Sequence, residues 1–435
     1  MQPCLEVRSH AGMAAIDQFA NQIDALNSAS ARPNPFYSSS YLRCFAQTNE
    51  YMPDMAETRL YTVFQNGQFI GCMPLRRVRD RVGPLHSWRV CFWVPFDVER
   101  PGILCEPKNE ERVGQAIIDH LCEKEACFGM LELVGQPTNS VLYRLMHAAG
   151  NARFRARDIE ADAISEIAVT WPDVASYTQS LSASWRRNLA RSARLLQEAG
   201  TVEVVLVEGV PACMAWFDAY LELESRSWKR NTSAAIVRNE RRVAFYQQFV
   251  AGHAGFEPSF IGVVLDGFLV AGTLNGSNTD APRHARGVWG LEMAYDDAYS
   301  GMGPGVLLYP FLVHVAIQRN EKFVNLLHGF SDYKRRWKAD VIAVKNVQLI
   351  RRHSLHNLKA IAGETIRKLQ SKFLPMLRKA NRQATTSPAP KAGPHTFAAP
   401  DRTLAKATTA TALAYDGSGV SRLNFAQLSA LLSIA

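Results

Sequence analysis

The sequence has no continuous run of the roughly 18 apolar residues that a membrane-crossing helix needs. Its most apolar stretch, Val306 to Ile317, is shorter and is interrupted by Pro310 and His314. The opening residues, MQPCLEVRSHAGMAA, hold no apolar segment of the kind a secretory leader carries. Both absences point to a cytoplasmic chain, at most peripheral to the inner face of a membrane. Zinc-type spacing is also missing. The eight cysteines are scattered, and the closest pair, Cys122 and Cys127, has no second pair or histidine cluster to complete a metal site. Reduced, mostly buried thiols and no metal are expected. No Ser-His-Asp or Cys-His ordering suggests a hydrolytic nucleophile. His314 falls in an apolar helical stretch and reads as a core histidine, and nothing pairs His328 with a nucleophile.

What is present is ample apolar content. With 435 residues and 47% hydrophobic side chains, the chain can build two domains with real cores. A formal net charge of +9 permits an anionic partner without choosing one. Mixed helix and strand signals run through residues 1–163. They include a helix over 12–30, an ARPNPFYSSSYLRCF entry over 31–45, and a hairpin turning at Asn66-Gly67. A second segment, 164–350, carries a strong helix over 183–199, capped by Gly200. It also carries a second hairpin turning at Asp266-Gly267. The two hairpins, QNGQFIGCMPL and LDGFLVAGTLN, share a turn dipeptide, an aromatic-aliphatic pair and a small-residue step. Two copies suggest related half-domains rather than a solenoid. Residues 351–382 read as a basic amphipathic helix, 383–419 as a disordered Ala/Thr/Pro/Ser linker, and 420–435 as a short terminal helix.

Three clusters can carry chemistry. The first is VWGLEMAYDDAYSGMGPGVLL, Val288 to Leu308: a strand, a loop with alternating Gly301, Gly303 and Gly305, then an apolar helix. Strand before and helix after is the setting in which backbone N–H groups cradle a phosphate. The plainer alternative is an ordinary strand-to-helix turn. The second is WRRNLARSARLLQ. Helical spacing puts Arg187, Arg191 and Arg194 on one face, with no acid between Arg186 and Gln197 to pair with them. That stripe suits an acidic substrate or is a solvated face. The third, HGFSDYKRRWK, follows a strand, where open α/β sheets place ligands. There Lys334 can face a developing oxyanion, Tyr333 can donate a proton and Asp332 can orient either; the alternative is a basic surface loop anchored by Tyr333 and Trp337. Glu292, on the strand before the glycine loop, is a candidate general base or an outward strand residue.

The run YDDAYSGMGPGVLL followed by LLHGFSDYKRRW resembles the FemAB/CelD-like branch of the GNAT acyltransferases, a group tied to cellulose and exopolysaccharide biosynthesis. The matching pieces are Tyr295-Asp296, Tyr299, Pro304-Gly305, Gly329, Tyr333-Lys334 and Trp337, with Ser184 to Asn188 and Asn34-Pro35-Phe36 also similar. The resemblance is strongest over 165–350 and fainter over 31–150. It implies an α/β fold of tandem GNAT-like halves, the first degenerate. It implies acetyl-CoA or another acyl-CoA as co-substrate, on Met293, Ala294, Tyr295, Ser300, Gly301, Met302, Gly303, Gly305 and Val306. It also implies an oxyanion role for Lys334. Arg187, Arg191, Arg194 and Trp337 are candidates for the acceptor, a small molecule or an envelope or polysaccharide precursor. Ser300 stands where the GNAT loop has Gln or Arg, which keeps aminoacyl-tRNA open as donor. A non-catalytic envelope-assembly factor, docking through 351–382, is the reading from another class. No sequence-specific nucleic acid partner is expected.

Overall fold

The computed structural model describes residues 5–30, 33–49, 56–93, 101–125, 128–278, 281–329, 332–365 and 419–424. The first half runs β1 (Leu5–Ala11), α1 (Gly12–Ala29), α2 (Ser39–Asn49), β2 (Ala56–Gln65), β3 (Gln68–Val82), β4 (Leu85–Phe92), β5 (Leu104–Cys105), α3 (Glu110–Glu123), β6 (Phe128–Pro137), α4 (Val141–Ala148) and β7 (Phe154–Glu160). The chain continues through β8 (Ile164–Ala168), α5 (Val174–Ser180), α6 (Ala183–Ala199), β9 (Val202–Glu208), α7 (Val210–Arg226), α8 (Glu240–Val250), β10 (Glu257–Leu265), β11 (Phe268–Ser277) and β12 (Gly287–Tyr295). It ends with α9 (Leu308–Gln318), β13 (Phe323–His328), α10 (Asp332–Arg336), β14 (Asp340–Ile342), β15 (Val344–Arg351) and β16 (Val420–Asn424).

The strands form two sheets of matching order, β1-β2-β3-β4-β6-β15-β7 and β9-β10-β11-β12-β13-β8-β14, the second extended at its edge by β16. In each, one parallel pair (β4 with β6, β12 with β13) sits among antiparallel neighbours. The hairpins correspond in detail. Asn66, Gly67, Asp266 and Gly267 all take positive φ, as such two-residue turns require. Both hairpins then slip register by one residue, at Val63/Phe64 and at Val263/Val264. The fold is therefore the α/β arrangement of tandem similar halves that the sequence suggests.

The second segment also gives a strand to the first sheet. β8 opens the second segment and pairs with β13 and β14 of that segment's own sheet, whereas β15 follows β14 but lies between β6 and β7 of the first. The first sheet thus has an interior slot filled by a strand of the second segment. The space between halves is an extension of the core. Phe36 meets Phe256 at 5.2 Å and Trp289 at 6.2 Å, both edge-on, and Tyr41 meets Phe245 at 5.4 Å. Asn34 begins this contact, because its side chain accepts from the Phe36 N–H while its backbone pairs with the Asn27 amide.

Two expectations need correction. The described part of 420–435 begins as strand β16, zipped antiparallel onto β9, rather than as a helix. The basic helix expected from 351 begins only at residue 355, because Arg351 still belongs to β15 and a turn follows. Its continuation beyond 365 and the linker up to 418 lie outside the described residues. Among the described cysteines, Cys44, Cys72, Cys91, Cys105 and Cys213 are buried and Cys122 half-buried, all free thiols.

Candidate active site

The site begins where two strands part. β12 and β13 pair over only three positions, Gly287 with Phe323 to Trp289 with Asn325. Beyond that, a bulge at Leu291 turns β12 aside, since Leu274 faces Glu292 while Asn275 faces Gly290. β13 bends in turn at Leu327, whose φ is +56°. Two side chains hold that bend. The Asn325 side-chain oxygen accepts from the Leu327 N–H at 2.8 Å, and Lys334 Nζ donates to the carbonyls of Leu326 at 2.8 Å and His328 at 2.7 Å. Backbone groups on both diverging strands are thereby released from the ladder. A cavity of about 970 Å³ opens between them, reaching from the glycine loop to the aromatic interface between the halves.

The loop folds as two short 3-10 turns, Asp297–Met302 and Pro304–Leu307, hinged at Gly303. Asp296 starts the first by accepting from the Ala298 N–H, while its other oxygen takes the Arg226 Nε. Gly303 is left-handed (φ 66°, ψ 48°), and a Cβ there would meet Ser192 Oγ of α6 at 2.9 Å. Glycine is needed for both reasons. The loop does not present an unbroken row of free amides. The Gly303 N–H donates to the Ser300 carbonyl, the Val306 N–H to the Gly303 carbonyl, and Pro304 has none.

Of the residues expected to bind donor, Met293, Tyr295, Ser300, Gly303, Gly305 and Val306 line the cavity. Gly301 and Met302 are not among the lining residues, and the Ala294 side chain is fully buried in the core. Lys334, Tyr333 and Glu292 all line it. Burial pushes the Lys334 amine down to about 8, opposed by the nearby Asp162 carboxylate. Burial pushes the Tyr333 phenol up to about 12, so its proton is retained at neutral pH.

Three expectations change here. Glu292 is 7% exposed, and its oxygens are engaged: one with Lys229 Nζ at 2.5 Å, the other with Arg242 at 2.5 Å and the Tyr246 hydroxyl at 3.1 Å. Flanked by two cations it anchors them instead of standing free as a base. Trp337 is wholly buried, stacked on Tyr309 at 4.9 Å and edge-on to Trp185 at 5.2 Å, and lies out of reach of an acceptor. Arg187, Arg191 and Arg194 are exposed on the outer face of α6 and do not line the cavity. Arg194 lies 3.7 Å from Glu198, one turn on. The opposite face of that helix, with Trp185, Leu189 and Ser192, packs on the core and the glycine loop.

Sequence reasoning missed Lys229, Arg242 and Tyr246. They come from a 3-10 turn after α7 and from α8, far in sequence from Glu292, and no periodic pattern marks which basic residues turn inward. Among the described residues there is no cluster of three or more His, Cys, Asp or Glu able to hold a metal, and no helix long and apolar enough to cross a membrane.

Residues 183–335 match the family described as acetyltransferase (GNAT) domain. No curated protein matches the sequence. Among solved structures the chain is similar to FemX, with a TM-score of 0.51 and 11% identity over 78% of this chain and 96% of that one. It is also similar to a tandem GNAT protein from the clavulanic acid biosynthesis pathway (TM-score 0.48, 15% identity, 80% and 99% covered). A third is the C-terminal domain of a putative lysylphosphatidylglycerol synthetase from Agrobacterium fabrum (TM-score 0.47, 10% identity, 82% and 97% covered). The parted strands and the glycine loop lie within residues 183–335, the stretch that matches the acetyltransferase (GNAT) domain, and the chain shares its fold with FemX.

Proposed function

We propose that the protein is an acyltransferase that moves an acyl group, acetyl in the simplest case, from acyl-CoA to an amine or hydroxyl. The observation that carries this is the parting of β12 from β13 after three paired positions. It leaves the strand edge at Leu291 to Met293 open to a thioester-bearing arm, with the glycine loop at one end and Lys334 across the gap. The donor's phosphates lie at Ser300, Gly303, Gly305 and Val306, its arm along Met293 and Tyr295. The acceptor's nitrogen or oxygen attacks the thioester carbon, the C–S bond breaks, and the thiolate leaves and takes up a proton. The acceptor's own proton passes to water. Most of the acceleration comes from holding the two reactants side by side and stabilising charge. Lys334, as an ammonium, faces the oxyanion or the leaving thiolate, and Tyr333 supplies a second O–H donor. Glu292 fixes Lys229 and Arg242 beside the reacting centre. The CelD-like branch makes an envelope or exopolysaccharide precursor one acceptor to test.

Calorimetric titration of the full chain with CoA, acetyl-CoA and longer acyl-CoAs tests the reading. Saturable binding supports it; an intact fold that binds none of them would sink it.

A second reading takes aminoacyl-tRNA as donor. It is favoured by the exposed Arg187, Arg191 and Arg194 stripe on the helix that packs against the glycine loop, outside the cavity. Charged tRNA would then bind with an affinity that falls steeply with salt, and Arg187→Ala with Arg191→Ala would flatten that slope.

A further inference from the structure

The cavity continues past β12 into a chamber between the halves. Its wall is aromatic and comes from both halves: Phe36, Tyr41 and Phe45 on one side, Phe245, Tyr246 and Phe249 on the other. These rings hold one another. Phe36 meets Tyr41 at 5.2 Å, Tyr41 meets Phe245 at 5.4 Å, Phe45 meets Phe245 at 6.2 Å and Phe245 meets Tyr246 at 5.3 Å, all edge-on. At the rim Trp228 is 50% exposed, unusual for so large an apolar group on a surface. The chamber's charged feature is the Lys229–Glu292–Arg242 group, whose lysine and glutamate are each under a tenth exposed. Burying such a group brings little stability. Placed in a cavity wall, it fits a polar contact to a ligand.

We propose that this chamber binds the acyl acceptor and that the acceptor is amphipathic. An apolar or aromatic body lies on the ring wall and Trp228, and its amine or hydroxyl meets the Lys229–Glu292–Arg242 group. An apolar body gains with the area it removes from water. A small polyol would exchange hydrated hydroxyls for ring faces with few partners. The proposal rests on the acyltransferase reading.

The test uses the full chain saturated with CoA and titrated calorimetrically with phenethylamine, phenethyl alcohol and glucosamine. The two apolar probes are expected to bind at least about tenfold more tightly than glucosamine. Trp228→Ala should weaken them by about fivefold or more, and Ala234→Trp, at the exposed rim, should block them. CoA affinity should stay within about twofold in both variants. Glucosamine binding as well as the apolar probes, or apolar binding that neither variant changes, overturns the proposal. So does acyl-CoA affinity that climbs with chain length while neither apolar probe binds, because the chamber then holds the acyl chain. If CoA itself does not bind, the acyltransferase reading falls, and the same probes on the free protein still decide what the chamber accepts.

Discussion

Ser192 Oγ stands 2.9 Å from the point that a Cβ on Gly303 would occupy, so the helix bearing the arginine stripe and the glycine loop are fitted to each other at a single atom's clearance. Gly303 is also left-handed, with φ 66°. Gly303→Ala should therefore cost about 1–2 kcal/mol in backbone strain, with crowding in addition, and weaken CoA by about tenfold. Gly301→Ala is the control. Nothing lies within 4 Å of its added Cβ, and both readouts should hardly move. Equal losses at the two positions would mean that the clearance is not what the loop depends on.

Lys334 supplies a pH signature. Burial lowers its amine to about 8, so the ammonium is lost as pH rises through that value. The transfer rate, measured with a hydroxyl acceptor that does not itself titrate there, should fall above about pH 8. Lys334→Gln should be slow at every pH and lack that limb. The sign for stability is opposite. Between about 8 and 10.5 the folded protein binds fewer protons than the unfolded, so this group's contribution to stability rises with pH across that window.

Glu321 provides a stability test away from the site. It is 4% exposed, and burial raises its carboxyl to about 7, with Arg319 at 3.9 Å only partly compensating. The folded state thus holds the proton more tightly, and stability drains as pH rises from about 4.5 through 7. Glu321→Gln should be more stable than the parent at pH 8 by on the order of 2 kcal/mol, with the gap closing below pH 4.5. Urea melts at pH 4 and 8 measure it; a gap that does not change with pH would contradict it.

Trp337 and Arg191 should separate core from surface. Trp337→Ala removes a stacked, fully buried ring and should cost about 3–5 kcal/mol. Arg191→Ala, on the exposed face of α6, should change stability by less than about 0.5 kcal/mol and leave CoA binding intact. Thermal melts and calorimetry on both variants check this.

The crossing of β15 makes the first half dependent on the second. A chain of residues 1–163 lacks β15, which fills the slot between β6 and β7. Its unpaired strand edges should make it unstable or prone to associate. Hydrogen exchange should find β7 and the β15-facing edge of β6 unprotected in that fragment, and protected once a peptide of residues 340–352 is added. A fully protected fragment without the peptide would show that the slot is dispensable.

Much of the architecture was legible because it is written in local chemistry. Asn66-Gly67 and Asp266-Gly267 dictate two-residue turns, and their flanking patterns reveal two similar hairpins. The Gly200 cap and the apolar stripe through Trp185, Leu189 and Leu196 mark α6. Other elements were out of reach. Val420–Asn424 is a strand because the edge of β9 offers it partners, a fact no local pattern carries.

The site divides in the same way. The glycine loop and the Tyr333-Lys334 pair lie in contiguous stretches, and the sequence by itself marked them. It marked Trp337 and the arginine stripe as well. Tertiary packing alone decided that Trp337 is turned into the core, that Arg187, Arg191 and Arg194 face solvent, and that Glu292 is held by Lys229 and Arg242. The reason is physical. A backbone turn or a cap depends on neighbours a few residues away, so sequence spacing encodes it. Whether a charged side chain is buried against a partner depends on which distant elements meet there, and here that is set by two packed sheets, the first of which takes β15 from the second segment.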